Sequence, residues 1–109
     1  MSYKVETIQP FRKELKKLIK KYPSLKSEIA ELGQQLSEDP TNGISLGNNC
    51  YKVRLAIKSK GKGKSGGVRV LTHVVHVSEQ IVYLLSIYDK SDQESISNKE
   101  IKDLLRFIQ

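Results

Sequence analysis

Tyr51-Lys52-Val53-Arg54-Leu55-Ala56-Ile57 is the stretch whose period decides the fold. Tyr51, Val53, Leu55 and Ile57 point one way, and Lys52, Arg54, Ala56 and Lys58 the other. A period of two marks a half-buried β-strand with one basic face. Upstream the period is helical. Phe11, Leu15, Leu18, Ile19 and Tyr22 fall at i, i+4, i+7, i+8 and i+11, so they share one helix face. Arg12, Lys13, Lys16, Lys17, Lys20 and Lys21 occupy the other. Pro10 suits the first turn, where its missing N–H removes no bond, and Pro23 ends the helix. Ser24 is placed to cap a second helix, in which Leu25, Ile29, Leu32 and Leu36 again share a face. Ser37 to Gly43, with Pro40 and Asn42-Gly43, reads as a polar turn segment. Ahead of the helices, Tyr3 to Ile8 alternates and reads as a first strand.

Downstream, Val68 to Val77 and Ile81 to Tyr88 are β-branched and apolar enough to be central strands, joined tightly at Ser78-Glu79. Ser97 with Glu100 makes a capping box, flanked by the Ile96 and Ile101 staple positions. Ile101, Leu104, Leu105 and Ile108 form the apolar face of a last helix. The order is β-α-α-β-β-β-α, an α+β fold. A helical hairpin is expected on one face of a curved, mostly antiparallel sheet, with a C-terminal helix after it. A length of 109 residues suits a single domain spanning 1–109.

Charge is unevenly distributed. Residues 1–26 carry eight basic and two acidic side chains, and residues 27–51 carry four acidic and no basic ones. Residues 52–76 carry seven basic side chains and no carboxylate, within a chain of net charge +7. Solubility needs no such one-signed stretch, so an anionic partner is expected, with nucleic acid the first candidate. The longest apolar run, Ile81 to Leu85, is far short of the roughly 20 residues of a membrane helix. No secretory signal pattern opens the chain, and a cytoplasmic protein without membrane contact is expected. The lone Cys50 excludes an internal disulfide and fits a reducing compartment. One Cys and two His at no recognised ligand spacing point to no metal site and no cofactor.

Gly63-Lys64-Ser65 is not a phosphate loop, because position 58 is Lys where that motif needs Gly and a strand follows instead of a helix. His73 and His76 differ by three on a strand and should face opposite sides of the sheet. Neither has a suggestive Cys, His or Ser partner, so both read as ordinary strand residues. What remains is basic. Lys52 and Arg54 share a strand face, Arg69 lies on the next strand, and Tyr88 and Lys90 lie at the end of the last. If these strands are neighbours, about 4.8 Å apart, their side chains converge on one phosphate. Arg and Lys stabilise a phosphodiester as its attacked phosphorus gains negative charge. RNA brings its own nucleophile, the 2′-hydroxyl, so cleavage needs neither metal nor covalent intermediate. A lysine among other cations gives up its proton more readily and then serves as the base. Lys58, Lys60, Lys62 and Lys64, spaced by Gly and Ser, suit a mobile loop that holds neighbouring phosphates.

Cys50-Tyr51-Lys52-Val53-Arg54-Leu55, Gly67-Val68-Arg69-Val70 and Leu85-Ser86-Ile87-Tyr88-Asp89-Lys90 stand in order at spacings that resemble the strand signatures of the RelE/ParE toxin superfamily. The resemblance covers nearly the whole chain. The Gly-Lys-rich connection into Gly66-Gly67-Val68-Arg69-Val70 is similar to the HigB-type relatives. RelE toxins are ribosome-dependent endoribonucleases that cut messenger RNA in the decoding site. By that resemblance Lys52 and Arg54 match basic residues implicated in proton abstraction and phosphate contact. Arg69 matches the arginine that stabilises the transition state. Lys90 stands where RelE has another arginine. The family's functional tyrosine falls at Ile96, and Tyr88, at a position that is not homologous, is a candidate to stack on a base in its stead. Membership also implies a cognate antitoxin that holds the toxin inactive, alongside ribosome and messenger RNA as partners. Two other readings share the scaffold: a ParE-like gyrase inhibitor, against which Lys52, Arg54 and Arg69 speak, and a non-catalytic RNA-binding module.

Overall fold

The computed structural model describes residues 2–59, 67–75, 79–93 and 95–108. Its elements are β1 (Lys4–Thr7), α1 (Gln9–Lys21), α2 (Leu25–Glu38), β2 (Ile44–Gly47), β3 (Cys50–Leu55), β4 (Val68–Val75), β5 (Ile81–Asp89) and α3 (Asn98–Leu105), with a 3₁₀ turn over Arg106–Ile108. The five strands form one sheet in the order β1-β5-β4-β3-β2. Every pairing is antiparallel except β1 with β5.

The register of the three central strands creates two unlike faces. Val53 stands opposite Val70, and Val70 opposite Ile87. All three are buried in one core with Phe11 and Leu18 of α1 and Leu25, Leu32 and Leu36 of α2. Tyr22, just past α1, donates its hydroxyl to Asp89 Oδ2 at 2.8 Å. Asp89 has the same strand parity as Ile87, so the helical hairpin lies on this apolar face, as its periodicity requires. A register shift between Leu71 and Thr72 bends β4 against β5. The cap of α3 forms as expected, with Ser97 Oγ accepting from the Glu100 N–H and the Glu100 carboxylate reaching back.

Two expectations change. The sheet has an additional strand, β2, which is exposed along its length and pairs with β3 alone. Its signal is the pair Asn48-Asn49, at φ 52 and 59, the left-handed conformation of a two-residue hairpin turn between Gly47 and Cys50. Ser24 precedes α2 in αR geometry and makes no side-chain cap. Its hydroxyl donates to Glu28 Oε1 instead. The last described rung between β4 and β5 is Val75–Ile81, and the expected continuation to Val77, His76 and Ser78 lies outside the described residues.

Gly43 fixes the start of β2. Its φ of +113 is a conformation other residues resist, and a Cβ there would lie 2.6 Å from the carbonyl oxygen of Lys52. Gly43→Ala is therefore expected to lift β2 off β3 and to destabilise the fold by about 1–3 kcal/mol, read as a lower denaturant midpoint.

Candidate active site

The face opposite the helical hairpin carries the cations. Arg54 stands directly across from Arg69, and Arg69 across from Tyr88. The next row along is Lys52, Leu71 and Ser86. Two strand spacings separate Arg54 from Tyr88, about 10 Å, so the row spans a width that one nucleotide can bridge. Like charges directly opposite on adjacent strands are destabilising. The apolar row behind them enforces the pairing, and an anion set between the two guanidiniums reverses its sign.

Exposure grades across the row. Arg54 is exposed, Lys52 is half-buried, and Arg69 retains only 3% of its surface. One Arg69 guanidinium nitrogen donates to the Val68 carbonyl at 3.3 Å. Lys90 is exposed at the same end of the sheet, where its N–H donates to the Gly67 carbonyl at 3.3 Å. Tyr88 does not offer a ring for stacking: it is 6% exposed, packed into the core cluster, and its hydroxyl has no hydrogen-bond partner. Burial pushes its hydroxyl pKa up, against a smaller lowering by the Arg69 charge. A protonated Tyr88 is a donor and not a base at neutral pH.

The start of the lysine-rich segment is held by α2. Glu28 is 6% exposed, and its Oε2 accepts the Lys58 N–H at 2.8 Å. Ser24 and Ser59 exchange two more bonds, each N–H donating to the other's hydroxyl at 2.9 Å. Lys58 itself is exposed, while Lys60, Lys62 and Lys64 lie outside the described residues. At the far end of the segment, a Cβ on Gly67 would lie 2.0 Å from the Leu55 carbonyl oxygen, so only glycine lets the two strands close there. Sequence reasoning missed this clasp, yet it left a trace. Position 28 falls inside the apolar stripe of α2, where a carboxylate needs a buried partner.

His73 is also corrected. Register places it opposite Cys50, and Cys50 Sγ lies 3.4 Å from its Nδ1. Burial raises the Cys50 pKa. It also lowers that of His73, against a smaller raising by a hydrogen bond with the Asn48 backbone. Both shifts favour neutral groups, the reverse of an activated thiolate–imidazolium pair. Among the described residues, no three His, Cys, Asp or Glu side chains gather as a metal site would need.

Among the described residues, three clefts border the row. The largest of them, about 500 Å³, opens at the edge of β3, where Arg54 and Lys58 share its walls with Glu28 and Glu31. Its carboxylates have the wrong sign for a phosphate. A second, about 390 Å³, lies between β5 and α3 and is lined by Ser86, Tyr88, Gln93, Glu100 and Leu104. The smallest, about 120 Å³, joins Lys52 and Tyr88 to Ser95, Ile96 and Asn98 at the start of α3. Lys52, Arg54, Arg69 and Tyr88 thus come together from three strands, with Lys58 and Lys90 at the rim.

Comparison with known proteins agrees with this architecture. Residues 4–108 match the family model described as RelE toxin of the RelE / RelB toxin-antitoxin system. The solved structure of the E. coli toxin RelE, a double arginine-to-alanine mutant in the free state, is similar over 100% of both chains, with a TM-score of 0.64 at 17% identity. No helix among the described residues is long and apolar enough to cross a membrane.

Two outcomes are expected here. Glu28→Ala should speed hydrogen exchange at the Lys58 and Ser59 amides and cost about 1–3 kcal/mol, with Glu28→Gln milder because it keeps an acceptor oxygen. For His73 the folded pKa is lower than the unfolded value of 6.5, so the unfolded chain binds the proton more readily. Its contribution is complete above pH 6.5 and is lost as pH falls through the window down to the folded pKa. Melting curves should show that loss, and His73→Gln should flatten it.

Proposed function

The chain belongs to the RelE toxin family and is a toxin of a toxin–antitoxin system with an antitoxin as partner, and on that premise we propose that it cuts messenger RNA on the ribosome. The observation that carries the reading is the opposition of Arg54 and Arg69 with Lys52 two residues along, three cations on one face of two adjoining strands. The family supplies the reaction class, and the cationic row supplies a place for it.

Cleavage runs by attack of the ribose 2′-oxygen on the adjacent phosphorus. The new P–O bond closes a 2′,3′-cyclic phosphate, and the P–O bond to the 5′-oxygen breaks. The proton leaves the 2′-hydroxyl for a base, and the departing 5′-oxygen takes one from an acid. Lys52 is the proposed proton acceptor, because it is half-buried and shares a strand face with Arg54. Arg54 and Arg69 bracket the phosphate and take up the charge that grows on its oxygens in the transition state, where preorganised donors matter most. Lys90 and Lys58, exposed at the same end of the sheet, hold flanking phosphates. Lys60, Lys62 and Lys64 extend that role by sequence alone. Its place of action is then the cytoplasm, with the translating ribosome as the larger partner.

The test is 5′-end mapping of a defined messenger with purified protein, with and without translating ribosomes. Cuts in register with codons and only with ribosomes support the proposal. Cuts in free RNA keep the nuclease and discard ribosome dependence, and intact RNA in both arms overturns it. Arg69→Ala is expected to lower the cleavage rate by at least about 100-fold while ribosome affinity stays near wild type. Arg69→Lys, which keeps the charge and loses the two-pronged donor, should fall between them. Matching melting temperatures would show that neither effect comes from unfolding.

A further inference from the structure

The least explained group on the cationic face is the Tyr88 hydroxyl. Tyr88 is buried, yet its oxygen has no hydrogen-bond partner. A buried polar group left unpaired costs about 1–3 kcal/mol, a cost the fold escapes with phenylalanine at this position. Tyr88 lines the cleft of about 120 Å³ that it shares with Lys52, Ser95, Ile96 and Asn98. That cleft lies at the N-terminus of α3. There Ser97 Oγ takes the Glu100 N–H and the Ser97 carbonyl takes the Ile101 N–H. The N–H groups of Asn98 and Lys99 lie in the first helical turn, where no carbonyl of the helix can reach them.

From these groups we infer that the cleft is a second phosphate subsite, holding a backbone phosphate of the RNA next to the one cut, with the Tyr88 hydroxyl as a donor. The inference rests on the RNA-cleaving reading above and adds to it a site built by α3. Beside the apolar Leu46, Ile96 and Ile101, the cleft presents groups that suit an oxyanion. The helix N-terminus supplies N–H groups and the positive end of its dipole, and Tyr88 supplies an O–H that burial keeps protonated. The volume equals that of about four waters, enough for the oxygens of a phosphate. The buried Tyr88 ring leaves no face for a base, which argues against a nucleobase as occupant. The Glu100 carboxylate is engaged with Ser97 and lines the neighbouring cleft instead of this one.

Two variants probe the subsite without dismantling the fold. Tyr88→Phe removes only the hydroxyl. Asn98→Pro removes a backbone N–H at the first helical position, where proline is well accommodated and the extended Ser97 already has suitable geometry. The probe is an RNA oligonucleotide with 2′-O-methyl groups throughout, which binds but offers no nucleophile. It is titrated at low salt while the amide signals of Asn98 and Lys99 are followed by NMR. The wild-type protein should shift both signals, and each variant should bind roughly tenfold more weakly. The melting temperature of free Tyr88→Phe should equal or exceed that of wild type, because no existing bond is lost. A methylphosphonate at one position should weaken wild-type binding and leave Tyr88→Phe unchanged.

Wild-type affinity in both variants overturns the subsite, and so does a lower melting temperature for Tyr88→Phe, which would make the hydroxyl structural. Failure of the oligonucleotide to shift Asn98 and Lys99 in the wild type also overturns it. None of these outcomes alters the end-mapping experiment, which judges the cleavage reading separately.

Discussion

The pairing register of β3, β4 and β5 is the constraint on which everything else depends. Val53, Val70 and Ile87 are buried beneath the helical hairpin, so their strand neighbours must face the other way. A slip of one residue would send the apolar set to the surface and the arginines into the core. The opposition of Arg54 and Arg69 is thus enforced by hydrophobic burial behind the sheet. Burial of large aliphatic side chains is worth about 1.5–3 kcal/mol each, while opposing like charges on paired strands costs a fraction of that. Burial wins, and the cations are held against their own repulsion in a fixed array. Such an array needs little reorganisation when an anion arrives, which is the property electrostatic catalysis requires.

Buried acids brace the edges of this array. Asp89 accepts from Tyr22 and from the N–H and hydroxyl of Ser91, and its strand parity sends it to the helical face. Glu28 is consumed by the Lys58 N–H and the Ser24 hydroxyl. Both carboxylates have several donors, as buried charges must. Each braces a segment that leaves the sheet near the cationic row: the chain after β5 in one case and the chain after β3 in the other. The row itself, Arg54, Arg69 and Tyr88 with Lys52, contains no carboxylate. Alternation along the strands thus sends Asp89 to the face of the helical hairpin and Lys52, Arg54 and Arg69 to the opposite face.

Much of this was legible from local pattern. The change of period at Tyr51, the apolar stripes of α1 and α2, and the Ser97–Glu100 cap each depend on residues within a few positions of one another, and each is found. The basic face of β3 follows from alternation alone. The candidates Lys52, Arg54 and Arg69 were identifiable because a strand displays every second side chain on one side, whatever its partners. β2 escaped because four exposed residues with Ser45 and Gly47 carry little apolar signal, and a strand paired on one side only needs little. Its one marker, Asn48-Asn49, is a turn signal that makes sense only once both flanking strands are known.

What the chain determines by itself is therefore the kind and order of its elements and which faces are apolar or basic, since these are set by side-chain period and by caps spanning one turn. Tertiary structure alone decided which distant residues meet. It set Cys50 against His73, Glu28 against the Lys58 N–H, and Tyr88 beneath the start of α3 with its hydroxyl unpaired. Those juxtapositions join positions 23 to 30 residues apart in the first two cases. They depend on strand order, on register, and on where a helix crosses the sheet. The free energy that selects them is shared by the whole core, so no short stretch of sequence carries it.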